Sequence, residues 1–183
     1  MIHILVLVGV YIILAVSLNL SLGYTGMLNL GHVAFFGIGA YTSALLTKAG
    51  VHFLIAFPLA GLFVTIFGYL LVLATNKLKG DYLALATLSF SFVVYSLLLN
   101  LTFLTRGPLG VAGIMKPEFF GLRILYPSQY LIFVVIIVII SVLIIHRIVK
   151  SPFGRLLQAT RDDELGLKVL GKNTFKLKLV LLL

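Results

Sequence analysis

The chain has 183 residues, of which 61% are apolar and only 10% are charged, and it contains neither cysteine nor tryptophan. Its mean hydropathy is +1.20. Soluble domains carry about 25% charged residues, so this composition excludes a water-soluble enzyme domain, a disordered chain and a disulfide-built secreted module. The first charged side chain is Lys48. We therefore predict a polytopic membrane protein.

Long apolar runs predict transmembrane helices, because about 20 apolar residues cross the hydrocarbon core of a bilayer. The runs are Ile2–Leu22, His32–Thr47, Phe53–Thr75, Tyr82–Leu104 and Gln129–Val149, and the second is short for a full crossing. Residues 179–183 begin another run, which predicts that the chain is a fragment of a longer protein or ends early. The predicted fold is all-α, a single domain over 1–183 with about five transmembrane helices and the start of a sixth.

A polar, glycine-rich segment near residues 19–32 separates the first two apolar runs. It predicts a broken or re-entrant segment, whose exposed N–H and C=O groups are tolerated at membrane depth only where protein or a water-filled cavity receives them. An ordinary turn between helices is the alternative. Because the apolar runs contain no Asp or Glu, neutral groups would have to bind a zwitterion there. The predicted substrate-pathway residues are Asn19, Thr25, Gly26, Asn29 and His32.

His32 is considered separately, since imidazole can titrate or bind a metal. A lone histidine with no carboxylate partner in the apolar runs is more often a hydrogen-bond partner between helices. No metal site and no cofactor are predicted.

The net charge of +9 could indicate nucleic-acid binding, but its distribution favours a membrane explanation. Eight basic and three acidic residues lie between 146 and 178, and an excess of Lys and Arg marks cytoplasmic loops. This loop is therefore predicted to be cytoplasmic, as are Lys77 and Lys79, whereas loop 105–127 and the turn Lys48–His52 are external. The N-terminus is external if Ile2–Leu22 spans fully, and cytoplasmic if Leu18–Leu30 is re-entrant.

Two short amphipathic helices are predicted in the basic loop. Ser151 followed by Pro152 is typical of a helix start. The acidic residues at 162–164 favour the N-terminus of a second helix, and Gly171 fits its C-terminal end. Such helices can lie at the membrane interface or dock into a groove on a soluble partner.

Four segments together resemble permease subunits of branched-chain amino acid ABC importers, most of all the second permease type. They are NLSLGYTGMLNLGHVAFFGIGAYTSALLT at 19–47, KGDYLALATLSF at 79–90, TRGPLGVAGI at 105–114 and SPFGRLLQATRDDELGLKVLG at 151–171. Their common order and spacing extend the resemblance over nearly the whole chain.

The resemblance implies that residues 150–178 form the ATPase-coupling loop. The residues it assigns to coupling are Arg161, Asp162, Asp163, Glu164 and Gly171. The family core is an acidic residue, two alanines and a glycine, so Glu164 and Gly171 match while Gly166 and Leu167 depart from the pattern. Glycine weakens a helix by about 0.5–1 kcal/mol relative to alanine.

The resemblance also implies a function and partners. The chain would be the permease of an ATP-driven importer of leucine, isoleucine and valine in a prokaryotic plasma (inner) membrane. It would be a multi-pass transport subunit rather than an enzyme. The implied partners are a second related permease, two cytoplasmic ATPase subunits and an extracytoplasmic substrate-binding protein. Related importers of urea, short amides or other amino acids are the alternative, and the chain has no Walker A sequence of its own.

Two other classes are weighed against the importer. An ion channel would need a carboxylate ring or a repeated filter, which the apolar runs do not contain. A membrane scaffold or assembly subunit without a translocation role is the second rival, and co-purification of an ATPase would separate the importer from both.

Overall fold

The structure, a computed structural model, describes residues 1–75, 77–78, 80–114, 118–119, 122–123, 126–171, 174, 177 and 179–180. Its helices are α1 (Ile2–Thr25), α2 (His32–Lys48), α3 (Phe53–Thr75), α4 (Asp81–Asn100), α5 (Thr102–Thr105), α6 (Pro127–Lys150), α7 (Pro152–Asp162) and α8 (Glu164–Val169). A 3-10 turn lies at Gly107–Leu109, and an antiparallel pair joins β1 (Glu118–Phe119) to β2 (Leu122–Arg123). The predicted helical membrane fold is confirmed.

Among the described residues, the helices long and apolar enough to cross a membrane are α1, α3, α4 and α6. Helix α2 has 17 residues, which at 1.5 Å each cover about 25 Å of a core of about 30 Å. It is the short run that the sequence predicted. Leu179 and Val180 are helical, while the rest of the predicted sixth run, 181–183, lies outside the described residues.

The fourth predicted run is divided in the structure. Helix α4 ends at Asn100, and α5 follows as a separate turn. The Thr105 hydroxyl is within hydrogen-bond distance of the carbonyls of Leu98 and Leu101, at 2.6 and 2.9 Å, and accepts from Gly107 N–H at 3.1 Å. This buried side chain therefore forms hydrogen bonds with backbone groups that a continuous helix would have paired itself.

Two compact units are present, one built from 1–29 with the chain after 124, the other from 30–124. In the second unit α2 packs against α3 and α4. Its core is formed by Ala34, Ile38 and Val94, with Val64, Phe67, Phe90 and Leu98 packed around them. The domain assignment made from the sequence, one domain over 1–183, stays a prediction.

In the first unit α1 packs along α6 in the same direction. Gly9, near the start of α1, lies so close to Val134 of α6 that an added Cβ would overlap its side chain. At the other end, Gly23 of α1 is hydrogen-bonded to Arg161, which lies beyond the end of α6. The two helices therefore run parallel, and Met1 lies at the same end of this unit as Pro127.

This direction has a consequence for orientation. Helix α1 is 24 residues long, about 36 Å at 1.5 Å per residue, which is enough for a complete crossing. If loop 146–178 is cytoplasmic, as its charge predicts, the parallel packing of α1 and α6 predicts an external N-terminus. The length of α1 agrees with the first of the two alternatives left by the sequence, the complete crossing, and the side of the N-terminus stays a prediction.

We expect single cysteines to report this arrangement, because the chain has no native cysteine. Cysteine at His3 and cysteine at Ser128, both exposed positions, should react with an impermeant maleimide from outside intact cells. Cysteine at Gln158 should react only after permeabilisation. Labelling of positions 3 and 158 from the same side would contradict the parallel packing of α1 and α6.

Candidate functional site

The helix break is shorter than predicted. Helix α1 continues through Asn19 and Gly23 to Thr25, so that only Gly26–Gly31 lie outside helices. The physical reason is that a helix satisfies its own backbone hydrogen bonds, which lipid cannot do. Isolated polar residues and one glycine therefore do not end α1.

Gly26 ends α1 by adopting a left-handed conformation. Its φ is +66° and its ψ is 11°, and its N–H donates to Leu22 O at 3.1 Å. Side chains with a Cβ rarely adopt this conformation, which glycine adopts freely. The predicted pathway residue Gly26 is thus the residue at which the chain leaves the helix.

Two hydroxyl groups stabilise the end of α1. Thr25 is 5% exposed, and its hydroxyl donates to Ser21 O at 2.5 Å. Ser21 is also buried, and its hydroxyl donates to Met27 O in the break at 3.4 Å. The proton of Thr25 is therefore used inside its own helix, so that its hydroxyl can accept a further hydrogen bond but not donate one.

The other two predicted pathway residues lie on either side of the division between the two units. Asn29 is 4% exposed, and His32 is half-buried at the first position of α2. Each has an interaction partner. Within the first unit, Asn19, Thr25, Gly26 and Asn29 follow one another along the end of α1 and the break.

Leu30, the first residue of the second unit, is held by two side chains of α4. Its N–H donates to Thr87 Oγ1 at 3.0 Å, and its carbonyl accepts from the Ser91 hydroxyl at 3.0 Å. Thr87 is 1% exposed and donates its own proton to Ala84 O at 3.0 Å. Both backbone groups of Leu30 are therefore paired although no helix or strand pairs them.

The basic loop forms the two predicted helices, and the cap predicted at Ser151 is present. Ser151 Oγ accepts from Gly154 N–H at 3.2 Å at the start of α7, and Asp163 Oδ1 accepts from Gly166 N–H at 2.8 Å at the start of α8. Such caps satisfy N–H groups that have no partner within the helix. Gly171 follows α8 with a φ of +71°, as expected for a glycine just beyond a helix C-terminus.

The two departures from the family pattern have local explanations. A Cβ added at Gly166 would lie 2.6 Å from Asp163 Oδ2, so alanine there would displace the capping carboxylate. Leu167 is 6% exposed and contributes apolar burial where alanine would contribute less. Glycine and leucine thus fit the short α8 of this chain.

Arg161 connects the basic loop to α1. Its Nη1 donates to Gly23 O at 2.7 Å. A cavity of about 430 Å³ lies beside this contact and is lined by Asn19, Gly23, Tyr24, Gln158, Arg161 and Asp162. The structure therefore brings Asn19, predicted for the pathway, together with Arg161 and Asp162, predicted for coupling. Asp163 caps α8, and Glu164 is the first residue of that helix.

Sequence reasoning missed the contribution of Thr87 and Ser91. They are spaced i and i+4 in α4, which places both hydroxyls on one face. That spacing was a usable signal. The partner of Arg161 was not predictable, since it is a backbone carbonyl and every residue has one.

These features are those of a polytopic membrane protein. A family model for the permease component of branched-chain amino acid transport systems matches residues 1–183, and the chain belongs to that family. No solved structure matches it significantly.

Curated relatives agree with the family assignment. The chain is 39% identical to the high-affinity branched-chain amino acid transport system permease protein LivM of Salmonella typhimurium and 38% identical to that of Escherichia coli, over 93% of the chain and 46% of each relative. A probable branched-chain amino acid transport permease protein LivM of Methanocaldococcus jannaschii is 28% identical, over 93% of the chain and 59% of the relative. The chain thus spans about half the length of the curated relatives it matches.

We expect Thr87→Val to loosen the break. The change removes the acceptor of Leu30 N–H, and a hydrogen bond contributes about 1 kcal/mol net, so exchange of the Leu30 amide should accelerate about fivefold. Hydrogen–deuterium exchange of peptides that cover 27–31 measures this. Ser89→Ala is the matched control, because the Ser89 hydroxyl donates to Leu85 O within its own helix at 2.9 Å. Equal exchange in the two variants would refute the role of Thr87.

Proposed function

We propose that the chain is the permease subunit of an ATP-driven importer of branched-chain amino acids in a prokaryotic plasma (inner) membrane. The observation that carries this proposal is the family match, which extends from residue 1 to residue 183. The names of the LivM relatives support leucine, isoleucine and valine as substrates. The proposed partners are a second permease, two ATPase subunits and an extracytoplasmic binding protein.

The basic loop supports an ATPase as the cytoplasmic partner. Helices α7 and α8 are both capped by side chains, so that their conformation is fixed before any partner binds. At the end of α8, Val169 and Leu170 are 87% and 75% exposed. Apolar side chains presented on a preformed helix pair are typical of a surface that docks into a groove.

The break supports a place in the substrate path at the cytoplasmic end of the membrane. Thr87, which holds Leu30, is six residues after the start of α4, a rise of about 9 Å. That start follows Lys77, which the charge distribution makes cytoplasmic. An unpaired ion in a low-dielectric medium costs several kcal/mol, so a crossing zwitterion requires polar partners, and Asn29 and the backbone of the break provide neutral ones. Neutral partners also bind weakly enough to release the substrate.

We expect Leu170→Asp to reduce co-purification of the ATPase subunits at least about tenfold, since a buried charge without a partner costs more than 1.4 kcal/mol. Leu109→Asp is the matched control, because Leu109 is 90% exposed in the loop predicted to be external. Both variants should accumulate in the membrane like the unmodified chain. Normal ATPase recovery with Leu170→Asp would exclude the end of α8 from the docking surface.

We expect Asn29→Ala to lower the initial rate of leucine uptake about tenfold, because a hydrogen bond to a charged group contributes about 1.5–3 kcal/mol. The measurement uses labelled leucine and the assembled complex in proteoliposomes. Asn100→Ala is the control, since the Asn100 side chain bonds to Ser96 of its own helix at 2.8 and 3.2 Å. Thr25→Val should have a smaller effect than Asn29→Ala, because the Thr25 proton is already used within α1. Full uptake by Asn29→Ala in assembled complexes would remove the break from the path.

A further inference from the structure

Arg161 lies in the last turn of α7, yet its side chain binds the end of α1. The Nη1–Gly23 O distance is 2.7 Å, across 138 residues of sequence. The last four carbonyls of a helix have no partner within the helix and carry its partial negative charge. A guanidinium donor is well suited to that position, because its charge and its N–H groups both match what the helix end presents.

The aliphatic stem of Arg161 makes a second contact with α1. A Cβ added at Gly26 would lie 3.1 Å from Arg161 Cγ and 3.8 Å from its Cβ and Cδ. The stem thus lies against the residue at which α1 ends, while the guanidinium lies on the carbonyl three residues earlier. Arg161 thus contacts Gly26, where the break begins, and the Gly23 carbonyl in the last turn of α1.

The other exposed cation of α7 has a different position. Arg155 precedes Arg161 by six residues, which at 100° per residue places it about 120° away around the helix. Leu157 and Thr160, between them in sequence, are 1% and 7% exposed. Helix α7 therefore presents one arginine to α1 and another to the surroundings.

We propose that Arg161 is a positioning residue that joins α7 to the end of α1, so that a movement of α7 is passed to the break at Gly26–Gly31. The inference rests on the proposed function, because it takes α7 as part of the loop that the ATPase moves. It differs from the sequence-based assignment, in which Arg161 was grouped with residues that meet the ATPase. Arg161 acts on the transmembrane side of α7.

The test compares Arg161→Ala, Arg161→Lys and Arg155→Ala in the complete importer reconstituted in proteoliposomes. The readout is leucine transported per ATP hydrolysed, with ATPase recovery and basal hydrolysis measured on the same samples. We expect Arg161→Ala to lower the ratio about tenfold, as the loss of a charged hydrogen bond implies, with recovery and basal hydrolysis unchanged. Arg161→Lys should give an intermediate ratio, since an ammonium can still donate to the carbonyl but lacks the planar fork. Arg155→Ala should leave the ratio unchanged.

Each outcome decides the proposal. A normal ratio with Arg161→Ala would overturn it, and so would loss of ATPase recovery, because the side chain would then belong to the ATPase contact. If Arg161→Ala does not accumulate, Arg161→Lys decides: an intermediate ratio supports the proposal and an unmodified ratio overturns it. Absence of leucine uptake by the unmodified complex would instead refute the proposed function.

A second measurement tests directly whether α7 and the break move together. Spin labels on cysteines at Leu28 and Arg155, both exposed, give the distance between the break and α7 before and after the ATPase is trapped with nucleotide and vanadate. With Arg161 present the distance should stay the same in both states, because the two segments move together. With Arg161→Ala it should change on trapping. The same constancy in the variant would overturn the proposal.

Discussion

The structure depends on one constraint, which is that lipid offers no hydrogen bonds to the backbone. A helix meets this constraint by itself, and the break at Gly26–Gly31 cannot. Side chains compensate by hydrogen bonding to these backbone groups. Ser21 bonds to the Met27 carbonyl, Thr87 and Ser91 bond to the N–H and carbonyl of Leu30, and Arg161 bonds to the Gly23 carbonyl at the end of α1. Apart from Arg161, all of these are hydroxyl side chains in apolar helices. Polar side chains of the described helices thus pair the backbone groups of Met27 and Leu30 in the break, where regular structure is interrupted.

These side-chain hydrogen bonds also explain why the end of α1 has a defined position that can still be adjusted. Gly26 fixes where the helix ends through its positive φ, and the Gly23 carbonyl just before it is paired by the Arg161 side chain rather than by a next turn of helix. Side-chain hydrogen bonds of this kind can change partner without breaking a helix. A transport protein needs such a place, because its path must be closed on one side and then on the other.

Much of this was predictable from residues alone. Apolar runs predicted the long helices, because a helix that crosses a bilayer must be long and apolar enough. Ser151 with Pro152, and the acidic residues at 162–164, predicted the two helix starts in the basic loop, because helix ends favour such residues by local interactions. The extent of the break was not predictable, since Asn19 and Gly23 weaken a helix in water but not enough to end one in lipid. The partners of Leu30 and Gly23 were also hidden, because they are backbone groups chosen by tertiary packing. The parallel direction of α1 and α6 likewise depends on a contact between distant segments.

That parallel packing affects how the protein is made. Two helices that run in the same direction cannot be joined by a tight turn, and here the intervening chain includes α2, α3, α4 and α5. At about 5–20 residues per second, the ribosome delivers α6 on the order of ten seconds after α1. During that interval Gly9 and the carbonyl end of α1 have neither Val134 nor Arg161 beside them. Helix α1 must therefore remain inserted in the bilayer through its own hydropathy until the segments that complete its packing have been synthesised.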